Sequence, residues 1–264
     1  MSVHPETWRR PPFIANSALR YLLFAGVSIY VLWAGWMLPF DWERIASGMG
    51  RASRIFSGAF PPSFERSGLL IDGFLESFKI AILATVFGIL LSVPMAFMAA
   101  RNLAPTPIYL VGRALIIAAR SFHPVIVAIV FVKAVGFGPF AGILTLTVYS
   151  VGFVAKMLAE RIEEIDRGQV EAVRSTGAGY FATLNYAVIP QIMPRQIGLA
   201  IYQLDSNLRA SAVVGIVGAG GIGSTLANAF GRYDYDFALA ITMVIVGVIL
   251  ISEAISGQIR KRIW

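Results

Sequence analysis

An all-α integral membrane protein with about six transmembrane helices is the fold class this sequence predicts, and three observations predict it. The 264 residues are 57% hydrophobic and 14% charged, with a mean hydropathy of +0.71, whereas soluble domains carry about 25% charged residues. About six apolar runs approach the roughly 20 residues needed to cross about 30 Å of hydrocarbon. Lys and Arg gather at alternate ends of those runs, the pattern that cytoplasmic loops impose.

The first run, Ala18 to Leu38, follows Arg9 and Arg10. It is too long for the apolar core of a signal peptide and has no small-residue cleavage site before Pro39, so it reads as a retained span behind a cytoplasmic tail, residues 1–17. Residues 39–77 read as a periplasmic loop or interfacial segment, in which Arg44, Arg51, Arg54 and Arg66 are interleaved with Asp41, Glu43 and Glu65. The membrane core follows over 78–257. Its runs are Phe78–Ala100, which carries Pro94; about Ile108 to Val135, interrupted by Arg120-Ser121-Phe122-His123-Pro124; Phe140–Met157; about Ile197 to Val217; and Phe237–Ile255. Residues 258–264 form a basic C-terminus. With the N-terminus inside, Arg20, Arg101, Lys156, Arg161, Arg167, Arg174, Arg195, Arg260, Lys261 and Arg262 all fall on the cytoplasmic side, and an even number of spans returns the C-terminus there.

The balance of 22 Lys+Arg against 15 Asp+Glu gives +7. In a membrane protein that excess belongs to loops facing anionic lipid, and no nucleic-acid partner is expected. With no cysteine and only His4 and His123 as imidazoles, disulfides and thiolate metal sites are excluded. No metal-ligand set and no catalytic nucleophile–base pair emerges.

Residues 214–223 read VGIVGAGGIG, and Gly218, Gly220 and Gly223 satisfy the G-x-G-x-x-G pattern of a dinucleotide-binding turn. That turn works only between a strand and a helix, with an acidic residue about 20 positions on. Here it follows a membrane span at the outer face, and the position about 20 residues on falls in the apolar run around Met243. A nucleotide site is therefore not expected. Gly218, Gly220, Gly221 and Gly223 allow tight turning and close approach instead, either in a re-entrant segment lining a cavity or in a plain exit loop.

The longest polar stretch between runs is Ala159 to Arg195, on the cytoplasmic side. Val170, Val173, Phe181, Leu184 and Val188 recur near helical spacing, which predicts short amphipathic helices broken at Gly177, or else an ordinary solvated loop. Within it, Glu171-Ala172-Val173-Arg174-Ser175-Thr176-Gly177, followed after nine residues by Ala187-Val188-Ile189-Pro190, resembles the EAA signature of ABC importer permeases, with apolar exchanges at Val173 and Ala187. The runs QIMPRQIG and NLRASAVVGIVGAGGIG resemble the phosphonate/phosphite branch of that family. The resemblance covers about residues 70 to 260.

What the resemblance implies is a type I ABC importer permease, with the polar segment 159–195 serving as the coupling element seated in a cleft of a separate ATPase. Glu171 would offer charge-assisted hydrogen bonds to that ATPase and Ala172 would permit close packing. Gly177 would make the turn, and Pro190 would restrict Ile189 and mark re-entry into the membrane. No G-x-x-x-x-G-K-[ST] occurs in the chain, so ATP and Mg are expected on the partner and the chain itself is no enzyme and holds no cofactor. Implied partners are an ABC ATPase dimer, a periplasmic phosphonate/phosphite-binding protein, a second copy of the chain and the lipid of the bacterial inner membrane. An alternative from another class is an ATP-independent secondary transporter or channel for small anions. That class would show inverted repeats or proton-relay carboxylates, and the sequence has neither.

A charge in hydrocarbon costs at least about 2.5 to 3.5 kcal/mol, so polar residues inside the spans are the candidates for the path. Asp205 and Arg209 stand one helical turn apart, with Asn207 off their face. Either they form a neutralised couple locking the fifth span, or Arg209 lines the path and attracts a phosphorus oxyanion. At the third run's interruption, Pro124 frees a carbonyl, which is tolerable only beside protein or water. Ser121 and His123 are path candidates there, His123 either donating to the anion or merely packing in the break. Family members usually carry an acidic residue beside a proline at this point, and the Ser-Phe-His-Pro order departs from them.

Overall fold

The computed structural model describes residues 14, 16–38 and 41–263. The expected basic tail around Arg9 and Arg10, His4, Pro39, Trp264 and the side chains of Arg260, Lys261 and Arg262 lie outside the described residues. Every regular element described is helical, and the chain divides into two units, residues 1–54 and 55–264.

In the first unit, α1 (Ser17–Met37) is capped by Asn16, whose side chain accepts a hydrogen bond from the Ala18 amide. Leu22, Leu32 and Trp36 are exposed along it, as suits a helix whose solvent is lipid. After it comes α2 (Trp42–Ala59), an amphipathic helix within the stretch read as interfacial, with Glu43 in its first turn.

The second unit is built on three long helices: α3 (Ser67–Ala99), α6 (Pro139–Glu163) and α9 (Ile189–Ile216). α3 begins at Ser67, well before the expected Phe78, because the hydrophobic run marks only the part in lipid. The sequence from Ser67 to Ser77 has no proline, and its polar residues Asp72 and Glu76 continue the same helix. α3 lies along α6 through small residues: Gly88 meets Ser150, and Ala84, Ala141 and Ala155 are fully buried.

The third run is broken. α4 (Thr106–Ser121) and α5 (Pro124–Val135) meet at an angle of 89°. Four helices, α1, α3, α6 and α11 (Tyr235–Ile263), are long and apolar enough to cross a membrane, and the bent pair makes a fifth. The expected fifth run is helical in α9 at 28 residues, about 42 Å long, but Gln203, Asp205, Asn207 and Arg209 keep it from being apolar. That helix is stabilised by its neighbours rather than by lipid.

Between α6 and α9 the chain forms α7 (Arg167–Ser175), α8 (Tyr180–Thr183) and a π-helical turn, Leu184–Val188. Val170, Ala187 and Val188 bury into an apolar cluster with Ala96, Leu158 and Ile162, which fixes this end of the bundle. At the opposite end, α9 turns through glycines into α10 (Ile222–Gly231), which folds back against α9 and α11.

Candidate functional site

At the α7 end, the carboxylate of Asp166 caps α7 by accepting from the Gly168 amide at 2.8 Å, and Gln191 at the start of α9 accepts from the Asp166 amide at 2.9 Å. Glu163 accepts from the Arg101 amide and the Arg113 guanidinium at 2.8 and 2.9 Å, and the Asn102 amide donates to the Ile162 carbonyl at 2.7 Å. These bonds tie the N-terminal flank of α7 to the bundle. α7 then buries Val170, while Glu171 and Ala172 stand exposed on its other side. Glu171 borders a cleft of about 270 Å³ with Asn102, Arg167 and Arg174. Gly177, at φ +81°, makes the turn out of α7.

Pro190 does not push Ile189 out of helical geometry. Ile189 has φ −56° and ψ −43°, and its amide donates to the Leu184 carbonyl five residues back. The wide π turn absorbs the mismatch that a proline's missing N–H creates, so the chain enters α9 without a break.

Within the bundle the structure separates residues that adjoin in sequence. Asn207 is fully buried: its amide donates to Thr85 on α3 at 2.9 Å and to Ser150 on α6 at 2.8 Å, and its Oδ1 accepts from Gln203 at 3.0 Å. It clasps three helices together. Asp205 and Arg209 pair on another face, as the four-residue spacing allows. Asp205 also accepts from the Ser252 hydroxyl at 2.7 Å, and Arg209 reaches Glu253 at 3.5 Å, so α9 is pinned to α11 by charge. The Asp205 side chain is 4% exposed and that of Arg209 38%.

At the α4–α5 break, the Ser121 hydroxyl donates to the Ile117 carbonyl at 2.8 Å, and His123 caps α5 by accepting from the Val125 amide. Arg120, Ser121 and His123 are all exposed. The stem of Arg120 lies on α6 where Gly152 leaves room: a Cβ there would come within 2.8 Å of the Arg120 Cγ. Arg120 has neither a hydrogen bond nor an ion pair among the described residues. Sequence reasoning named its neighbours and passed over Arg120 itself, although no Asp or Glu occurs anywhere between Glu76 and Glu160. Gln203, Ser150 and Thr85 were also missed, because serine and threonine in an apolar run give no signal of their partners.

At the far end, Gly218, Gly220 and Gly221 have φ of +95°, +79° and +75°. Gly223 has ordinary helical geometry but sits against the Ala212 carbonyl, where any Cβ would collide. The Gly138 amide donates to the Gly218 carbonyl at 3.0 Å, and the Ile222 amide to Ser77 at 2.9 Å. A cleft of about 490 Å³ opens here, lined by Glu76, Phe137, Gly218, Gly220 and Asn228. A helix, not a strand, precedes the glycines, so the dinucleotide pattern has no structural basis.

A family model described as "Binding-protein-dependent transport system inner membrane component" matches residues 88–264. The chain is 43% identical over 211 residues to the phosphate-import permease protein PhnE of Mycolicibacterium smegmatis, over 79% of this chain and 40% of that protein, so it spans less than half the length of that relative. It is 38% identical over 237 residues to the phosphite transport system permease protein PtxC of Stutzerimonas stutzeri, over 89% of this chain and 86% of that one. Among solved structures it resembles inward-facing forms of the MetNI methionine ABC transporter, with a TM-score of 0.66, 23% identity, and 76% of this chain and 99% of that chain covered.

Proposed function

The chain belongs to the family of binding-protein-dependent transport system inner membrane components, and from that premise we propose that it imports a phosphonate or a related small phosphorus oxyanion such as phosphite or hypophosphite. It is a permease of an ATP-driven importer, and the ATP-independent reading is set aside by that membership. Phosphate in one relative's name and phosphite in another's support the substrate class.

The observation that carries the mechanism is α7. One side is anchored in the inner apolar cluster through Val170 and the other presents Glu171 and Ala172. An ATPase cleft closing on that exposed side moves α6 and α9 through the capping bonds of Asp166 and Gln191. In this reading residues 159–195 are the coupling segment of a permease core over 78–257, and Gly177 sets the turn beside the contact while Pro190 opens the return helix. The α7 end and both termini face the cytoplasm, the glycine turn with Gly218, Gly220, Gly221 and Gly223 gates the periplasmic face, and a binding protein delivers the anion there. Two copies share one path above an ATPase pair that binds ATP and Mg. Of the path candidates, Ser121 and His123 border the path, while Asp205, Asn207 and Arg209 hold the helices that form it.

The test is co-expression with the ATPase and binding protein, followed by ATP hydrolysis in lipid with phosphonate, phosphite, hypophosphite, phosphate and sulfate. One phosphorus anion is expected to stimulate hydrolysis, and Glu171→Ala to reduce that stimulation about tenfold. Stimulation by sulfate alone would refute the substrate class. Transport without ATP would refute the mechanism.

A further inference from the structure

Arg120 stands inside two apolar runs, the third, which it interrupts, and that of α6, against which its stem lies. It lies on α6 at Gly152, about 20 Å along that helix from Pro139 and about 17 Å from Glu163. Gly152 is one turn above Lys156, which falls on the cytoplasmic side, so the guanidinium stands in the inner half of the span. No carboxylate pairs with it among the described residues: Glu163 is taken by Arg113, and Asp205 and Glu253 by Arg209. An exposed, permanently charged side chain at that depth is tolerated only where water or an anion reaches it. Arg120 stands at the 89° bend between α4 and α5, where Ser121 and His123 are exposed as well.

We propose that Arg120 is an anion contact of the translocation path within the span, its planar fork receiving two oxygens of the passing oxyanion in transit. Gly152 leaves room for the stem, and Ser121 and His123 stand exposed at the same break. The assignment rests on the import of a phosphorus oxyanion and adds to it the residue that selects for negative charge.

The chain has no cysteine, so Arg120→Cys places a single thiol at this point. The variant is assembled with its ATPase and binding protein in proteoliposomes. Phosphite uptake and labelling by water-soluble methanethiosulfonates are then followed. Uptake is expected to fall about tenfold, to recover when the aminoethyl reagent restores a positive charge, and to stay low with the sulfonatoethyl reagent. Phosphite turnover is expected to slow labelling. Arg120→Lys, assembled alongside, is expected to retain intermediate uptake.

A thiol inert to both reagents, or uptake equal to wild type in Arg120→Cys, overturns the assignment. So does failure of both variants to assemble, which would place Arg120 in packing. Should the wild-type complex import a different oxyanion, the phosphorus reading fails and the Arg120 result still stands on that anion. Import of a neutral or cationic solute overturns both.

Discussion

Two arginines, Arg209 and Arg120, interrupt hydrophobic runs of this chain, and their surroundings differ in kind. Arg209 sits one turn from Asp205 on α9, and Asp205 and Glu253 both answer it, with Ser252 taking the second oxygen of Asp205. Arg120 sits at a break, in a stretch that holds no acidic residue at all. The first arrangement uses charge to fasten α9 to α11. The second leaves charge available. On the proposed assignment, a carboxylate within reach marks the fastening arginine, and its absence leaves the other free to meet an anion.

The sharpest way to break the comparison is Asp205→Ala. It leaves Arg209 with only the exposed Glu253 and strands the Ser252 hydroxyl. The expected loss of stability is about 3 kcal/mol, at the low end for a buried pair because Arg209 is 38% exposed. Thermal unfolding of the purified complex measures it, and an unchanged midpoint would deny the couple its fastening role. Next in size is Asn207→Ala, which removes the shared partner of Thr85, Ser150 and Gln203 and should cost about 2 kcal/mol by the same measurement. A smaller effect tests the pair's symmetry. Exchanging the two, Asp205→Arg with Arg209→Asp, should recover part of the loss if charge holds the seam, and none if the Ser252 bond dominates. Smallest of all, Arg120→Ala should leave stability within about 0.5 kcal/mol of wild type while uptake falls. A large destabilisation there would erase the contrast.

Much of this was legible in the residues. Hydrophobic runs located the long helices, and the four-residue spacing of Asp205 and Arg209 anticipated their pairing, because both signals are local to one helix. The Arg120-to-Pro124 interruption anticipated a break but not its 89° angle, which depends on how α4 and α5 each pack on α6. The sequence likewise grouped Asn207 with Asp205 as path candidates. Residues two apart on a helix point about 200° from each other, so Asn207, off the face of Asp205, joined the buried clasp while Asp205 joined the α11 seam. Ile189 was expected to be restricted by Pro190, and a π turn that no residue pattern announces accommodated it instead.

Gly177, just past α7, and Gly223, in the first turn of α10, face evolutionary drift on different terms. Gly177 has open space around it, and only its φ of +81° restrains it, so asparagine, which tolerates that conformation, is an admissible descendant. Gly223 adopts ordinary helical angles, yet the Ala212 carbonyl fills the place of its first side-chain carbon. No substitution there is small enough. Among the descendants of this chain, Gly177 is expected to wander within a narrow alphabet, while Gly223 stays fixed unless Ala212 and its whole helix move with it.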